Sequence, residues 1–149
     1  MQTWLKRVIN FAAAAAAASA LLVGAESARA SQLLAQVDIS AQRMTVSIDG
    51  RPAYQWKVST ARRGYVTPTG SFRPTRLAAM WYSKKYDNSP MPHSVFFHGG
   101  YAVHATPYIK CLGSPASHGC IRLHPSNASD FYALVKTFGA RNTSIVIVR

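Results

Sequence analysis

The strongest constraint on the fold is a period-two apolar pattern on both sides of the dipeptide Asp49-Gly50. Apolar residues occupy every second position before and after it, at Met44, Val46, Ile48, Tyr54, Trp56 and Val58. Alternation of this kind indicates half-buried strands, because successive side chains of a strand point to opposite faces. An Asp-Gly pair favours the type I′ turn that joins two antiparallel strands. The sequence therefore predicts a β-hairpin near the start of a mainly β domain.

Two further strand signals follow along the chain. Apolar runs at 95–97 and 101–103 are separated by a Gly-Gly pair, which predicts a second hairpin whose return strand ends at His104. Residues 143–148 are rich in β-branched side chains and predict a closing strand.

One segment has helical period. Its apolar residues fall at i, i+3, i+4 and i+7, at Phe131, Leu134, Val135 and Phe138. Asn127 is a candidate N-cap. Gly139 directly follows the last apolar residue of the pattern, and the residue that follows a helix is often glycine. We expect one helix near the C-terminus.

The first thirty residues have the pattern of a secretory signal peptide. Lys6 and Arg7 precede an alanine-rich apolar run at 11–23, and Ala28-Arg29-Ala30 is an A-x-A cleavage site. A membrane anchor or a buried helix is the alternative, but the run is short for spanning a bilayer. Cleavage after Ala30 leaves a single domain at 31–149, with no room for a second module.

The mature chain is strongly basic. Without residues 1–30 it keeps 14 of the 17 Lys and Arg residues and 4 of the 5 acids, which gives a net charge of +10. An exported chain has little contact with nucleic acid, so we expect none as partner. A carboxylate-rich polymer or an anionic membrane surface suits this charge, and solubility alone is the other interpretation.

The sequence Ser117-His118-Gly119-Cys120 has the composition of a thiol nucleophile loop. Such a nucleophile needs a base, backbone N–H groups for the oxyanion, and access for the substrate. Glycine allows close approach of the backbone to a ligand, and Arg122 offers a fixed positive charge to a carboxylate.

The second cysteine leaves other interpretations open. In an exported chain a Cys111–Cys120 disulfide is the default expectation, but it would silence a Cys120 nucleophile. We therefore treat Cys111 as a free thiol that can act as a redox latch. A zinc set of Cys111, His118, Cys120 and His104 lacks the paired short spacings of structural zinc sites, so we expect no metal.

The chain resembles the L,D-transpeptidase catalytic domain family, also called YkuD-like. The resemblance rests on Val103-His104-Ala105-Thr106, with Cys120 sixteen positions after His104 in the run 117–123, and on the turn-forming stretch 65–72. It extends from about residue 34 to the C-terminus. It implies a β-sandwich or barrel-like sheet with one helix near the C-terminus.

The resemblance also implies roles for individual residues. Cys120 would be the nucleophile and His104 its base, with the other ring nitrogen of His104 held by the backbone carbonyl of Ala105. The N–H groups of Gly119 and Cys120 would hold the oxyanion, with His118 as a further candidate. The family usually has glycine at the position of Ala105, and alanine fits there if its φ is negative.

Four residues are candidates for contact with substrate. Ser117 would orient the loop or a substrate amide, and Arg122 would grip a carboxylate or tie the loop down. His98 would line the cleft from the second hairpin. His118, two residues before Cys120, competes with His104 for the base role, although His104 suits it better.

The implied activity is acyl transfer on peptidoglycan stem peptides without a cofactor. The enzyme would work in the periplasm or cell wall as a monomer, after secretion across the inner membrane. Cys120 would attack the carbonyl of the third stem residue, such as diaminopimelate, and expel D-Ala. The acceptor would be a stem amine, or an outer-membrane protein or lipoprotein. An L,D-carboxypeptidase or other hydrolase of the same fold, and a non-catalytic wall-binding domain, remain alternatives.

Overall fold

The computed structural model describes residues 30–149, which form eleven β-strands and one α-helix. The strands are β1 (Leu33–Asp38), β2 (Arg43–Ile48), β3 (Arg51–Lys57), β4 (Gly70–Phe72), β5 (Arg76–Ala78), β6 (Tyr82–Ser83), β7 (Ser89–Pro90), β8 (Ser94–His98), β9 (Tyr101–Ala105), β10 (Ile121–Leu123) and β11 (Thr143–Val148). Helix α1 spans Pro125–Phe138. The predicted signal peptide lies outside the described residues, apart from its last residue, Ala30.

The larger sheet has five strands in the order β3-β2-β1-β11-β4. Its first hairpin, β2–β3, is confirmed: Asp49 and Gly50 have φ of 50° and 78°, the positive values that a type I′ turn requires. The predicted closing strand is also confirmed, and it lies inside the sheet, parallel to β1 and antiparallel to β4.

A second sheet has four strands in the order β10-β9-β8-β5. The hairpin β8–β9 turns at Gly99 and Gly100 as predicted, and β9 ends at Ala105, one residue later than expected. Strand β10 runs parallel to β9, and this pairing sets His104 opposite Arg122.

Both sheets and the helix share one hydrophobic core, which makes the fold a sandwich of unclosed sheets. The buried side chains come from every large element: Leu33, Ala35, Val37, Met44, Val46, Trp56, Val95, Phe97, Val103, Ala105, Ile121, Leu123, Ala128, Phe131, Val135, Ile145 and Ile147. The mainly β fold with one helix near the C-terminus is therefore as predicted.

Helix α1 begins two residues before the predicted Asn127 cap. Pro125 occupies the first turn, and the N-cap is His124, whose ring nitrogen accepts a hydrogen bond from the Ser126 N–H. Proline suits this position because its missing N–H would have no intrahelical partner. The helix ends as predicted at Gly139, which has φ of 79°. Within residues 30–149 no helix is long and apolar enough to cross a membrane.

Candidate active site

The site lies on one face of the parallel β9–β10 pair. Because side chains alternate along a strand, Val103, Ala105, Ile121 and Leu123 point into the shared core. The alternate residues, Ala102, His104, Cys120 and Arg122, belong to the opposite face. Strand pairing thus gathers the predicted base, the predicted nucleophile and an arginine from two segments of the chain.

His104 is buried and fixed in one orientation. Only 6% of its surface is exposed, and its Nδ1 lies 2.7 Å from the carbonyl oxygen of Ala105, as the resemblance implied. Since a carbonyl oxygen only accepts, Nδ1 carries the proton and Nε2 has the free lone pair. Ala105 is not among the residues of positive φ, so its side chain fits the strand without strain.

Burial keeps the imidazole of His104 neutral. Burial, the largest cause, and the Arg122 charge together lower the pKa of His104 to about 4, although the hydrogen bond to Ala105 opposes the shift. At neutral pH, His104 is therefore a base with an unoccupied lone pair rather than an imidazolium.

Cys120 is half-buried against the second hairpin. Its side chain packs on Met91, Phe96 and Ala102, and its Sγ lies 3.9 Å from the carbonyl oxygen of Gly100. Burial raises the pKa of the Cys120 thiol, although the Ala102 N–H and the Arg122 charge act in the other direction. The resting site thus holds a neutral thiol and a neutral imidazole.

Glycine is required at position 119 for two reasons. Its φ is 131°, and an added Cβ would lie 2.4 Å from Tyr101 Cε1 and 2.8 Å from the Val66 carbonyl oxygen. The Gly119 carbonyl accepts a hydrogen bond of 2.8 Å from Thr67 Oγ1. The stretch 65–72 therefore contacts the loop at 117–120 and helps to hold Gly119 in place.

The hydrogen bonds of this loop bear on the expected roles of Ser117 and Gly119. Ser117 was expected to orient the loop or contact substrate, but it is fully buried, which leaves only the first role. Its Oγ accepts a hydrogen bond of 2.9 Å from the Gly119 N–H and donates one of 2.6 Å to the Cys120 carbonyl. The Gly119 N–H is thus occupied and does not face a substrate oxyanion. Within residues 30–149, the N–H groups of His118 and Cys120 have no acceptor, so both are candidate oxyanion donors.

The other predicted substrate contacts lie around the same loop. Arg122 is half-buried, and its Nη1 is 3.4 Å from the Ala116 carbonyl, a weak tie to the loop. His98 is exposed and stacks on Tyr101, the ring that packs against Gly119. His118 lies outside the strand pair, stacked on Tyr86 with ring centroids 4.1 Å apart.

Comparison with known families agrees with this architecture. The family profile of the L,D-transpeptidase catalytic domain, YkuD, matches residues 33–148. The chain belongs to this family. No curated protein matches it.

Several solved structures of L,D-transpeptidases share the fold. An L,D-transpeptidase from Mycobacterium smegmatis has a TM-score of 0.72 at 25% identity, covering 80% of this chain and 59% of its own. LdtMt1 in complex with imipenem gives 0.71 at 24% identity, covering 79% and 59%. The L,D-transpeptidase of Stackebrandtia nassauensis gives 0.69 at 25% identity, covering 79% and 56%. The chain spans less than three fifths of the length of these structures.

The second cysteine of this L,D-transpeptidase family member forms no disulfide with Cys120. Cys111 is an exposed free thiol in a 3-10 turn at Ile109–Cys111, and Cys120 is also free. Among residues 30–149 no three His, Cys, Asp or Glu side chains are grouped as metal ligands, so the zinc set considered above is not assembled. The redox latch stays a prediction.

Sequence reasoning missed four side chains that surround His118. Arg62 and Tyr65 come from the segment before the Thr67 turn, and Lys85 and Tyr86 come from a 3-10 turn between β6 and β7. The consecutive arginines at 62 and 63 were a visible signal. Tyr86 lacked one, because it lies in none of the strands or the helix that the sequence predicts.

Proposed function

We propose that this chain is a cysteine-dependent L,D-transpeptidase that acts on peptidoglycan tetrapeptide stems. The observation that carries the proposal is the shared face of β9 and β10, which carries both Cys120 and a neutral His104 whose proton is fixed on Nδ1. A base in this state accepts the thiol proton as sulfur attacks, so no resting thiolate is required.

In the first half-reaction, Cys120 Sγ bonds to the carbonyl carbon of the third stem residue while its proton passes to His104 Nε2. The N–H groups of Cys120 and His118 donate to the oxygen that becomes negative. The tetrahedral intermediate then collapses, the bond to D-Ala breaks, and the leaving nitrogen takes the proton from His104. The product is a thioester on Cys120.

In the second half-reaction, an amine attacks the thioester and gives its proton to His104. The new amide forms as the sulfur leaves, and the proton returns to Cys120. A stem side-chain amine gives a 3→3 crosslink, an amine of an outer-membrane protein or lipoprotein gives an anchored protein, and water gives a shortened stem.

The location is part of the proposal. Cleavage of a signal peptide after Ala30 would release residues 31–149 as one domain into the periplasm, next to the cell wall. The excess of basic residues suits a polymer with many free carboxylates.

The test is incubation of residues 31–149 with a purified disaccharide-tetrapeptide, followed by mass spectrometry. A crosslinked dimer supports transpeptidation, whereas tripeptide with free D-Ala and no dimer supports the carboxypeptidase alternative. An unchanged substrate contradicts both. The Cys111→Ser variant keeps one thiol, so that intact mass assigns the acyl group or an imipenem adduct to Cys120.

A further inference from the structure

A second group of side chains beside the nucleophile has the features of an anion receptor. His118 lies at its centre, with the ring of Tyr86 stacked on one face at 4.1 Å and 10°, and Tyr65 edge-on at 4.7 Å and 78°. Arg62 Nη2 lies 2.8 Å from His118 Nε2. These contacts hold the imidazole in one place and one orientation.

The direction of the Arg62–His118 hydrogen bond defines what each side chain does. A guanidinium only donates, so His118 Nε2 accepts and its proton is on Nδ1. Desolvation lowers the pKa of His118, and the positive charges of Arg62, Arg122 and Lys85 lower it further. His118 is therefore a neutral support for Arg62, and it is not placed as the base that the sequence left as an alternative.

Arg62 is held in place and still has donors to offer. His118 takes one of its five N–H groups, and the ring of Tyr65 lies 4.8 Å from the guanidinium carbon. The side chain is exposed, and within residues 30–149 no carboxylate pairs with Arg62 or Lys85. Asp87, the acid nearest in sequence, makes no ion pair with them.

We propose that Arg62, positioned by His118 and Tyr65, binds a free carboxylate of the donor stem next to Cys120. An arginine fixed before binding loses little side-chain entropy when it forms charge-assisted hydrogen bonds to a carboxylate. His118 acts as a positioning residue. The proposal rests on the proposed function for the source of the carboxylate, which is the terminal D-Ala or the side chain of diaminopimelate.

A first experiment tests the receptor without any stem peptide. In the Cys111→Ser background, Cys120 is alkylated with iodoacetate, which carries a carboxylate, and with the neutral iodoacetamide. Loss of one charge worth about 1 kcal/mol at a surface site should slow iodoacetate about fivefold in Arg62→Gln. Iodoacetamide should stay within about twofold.

The controls distinguish a specific carboxylate site at Arg62 from nonspecific attraction of an anion by the positive surface. Arg63→Gln removes the same charge from the exposed neighbour and should leave the ratio of the two rates unchanged. His118→Phe keeps a ring on Tyr86 but loses the acceptor, so it should lower the ratio, and Arg62→Lys should restore part of it. Equal effects of Arg62→Gln and Arg63→Gln, or equal slowing of both reagents, would overturn the proposal.

A second experiment identifies the carboxylate during turnover. Arg62→Gln should raise KM for the tetrapeptide, and this effect should vanish with a C-terminal amide if D-Ala is recognised, or with amidated diaminopimelate if that residue is. If the alkylation ratio falls in Arg62→Gln but the protein leaves the stem peptides unchanged, the receptor stands and only the proposed function is contradicted. If the protein turns over stem peptides but Arg62→Gln changes neither this turnover nor the alkylation ratio, only the receptor is contradicted.

Discussion

The two faces of the β9–β10 pair use one backbone for opposite purposes. On the core face, Val103 and Ile121 are almost completely buried among apolar neighbours. His104 and Cys120, each one residue away along the chain, belong to the other face. Burial lowers the pKa of His104 and raises that of Cys120, so it favours the neutral form of both groups. The comparison teaches that the packing of the core face sets the positions of His104 and Cys120, and that burial of these two groups on the other face lowers the stability of the fold rather than raising it.

The largest difference should appear between variants at the adjacent positions 120 and 121, one on each face. Cys120→Ala removes the proposed nucleophile and should lower stem turnover by ~10⁴-fold or more, with an unfolding midpoint close to that of the parent. Ile121→Ala should cost about 3 kcal/mol of unfolding free energy because it leaves a core cavity. Turnover by mass spectrometry and urea unfolding measure the two effects. Residual activity of several per cent in Cys120→Ala would remove this residue from the chemistry.

The next largest effect concerns the two histidines. His104→Gln keeps most of the side-chain volume but loses the proposed base, and should lower kcat about 10³-fold at neutral pH. His118→Gln should act mainly on KM, because His118 supports Arg62 and takes no proton. Steady-state kinetics of both variants give the comparison, and the reverse ranking would make His118 the base.

Unfolding at several pH values should show how much the burial of neutral His104 lowers the stability of the fold at acidic pH. The folded-state pKa of His104, about 4, lies below its value of 6.5 in the unfolded chain, so the unfolded state binds the proton first. Stability is complete above pH 6.5 and falls by about 3 kcal/mol as the pH decreases toward 4. Urea unfolding between these values should show a steeper pH dependence for the parent than for His104→Gln. Parallel curves would mean that His104 is not buried as a neutral group.

The smallest expected effect is the difference in stability between two glycine variants, which distinguishes backbone strain from close packing at Gly119. Gly119→Ala should cost about 2 kcal/mol or more, because the methyl group meets Tyr101 and Val66 at a positive φ. Gly139→Ala has a positive φ but nothing within 4 Å of the new methyl group, and should cost about 1 kcal/mol. Thermal unfolding compares them. Equal losses would show that the loop relaxes around the added atom.

Features with local causes were predictable from the sequence, and features built by distant segments were not. The hairpin at Asp49-Gly50 and the strand at 143–148 depend on nearby residues, and the family motif located His104 and Cys120. The direction of the Gly119 N–H depends on the burial of Ser117, which the motif does not encode. The support of Arg62 by His118 and Tyr86 joins three separated segments, so no local pattern reveals it.

The insertion of β11 between β1 and β4 has a consequence for the order of folding. Leu33 pairs with Thr143, so the centre of the larger sheet joins the beginning of the domain to its end. Closure of so long a loop makes folding slow, because the entropy is lost before the contacts are gained. A chain still lacking its last seven residues has β1 and β4 without their shared neighbour. The domain therefore cannot complete this sheet before residues 143–148 have been made, and truncation at residue 142 should yield a chain that does not fold.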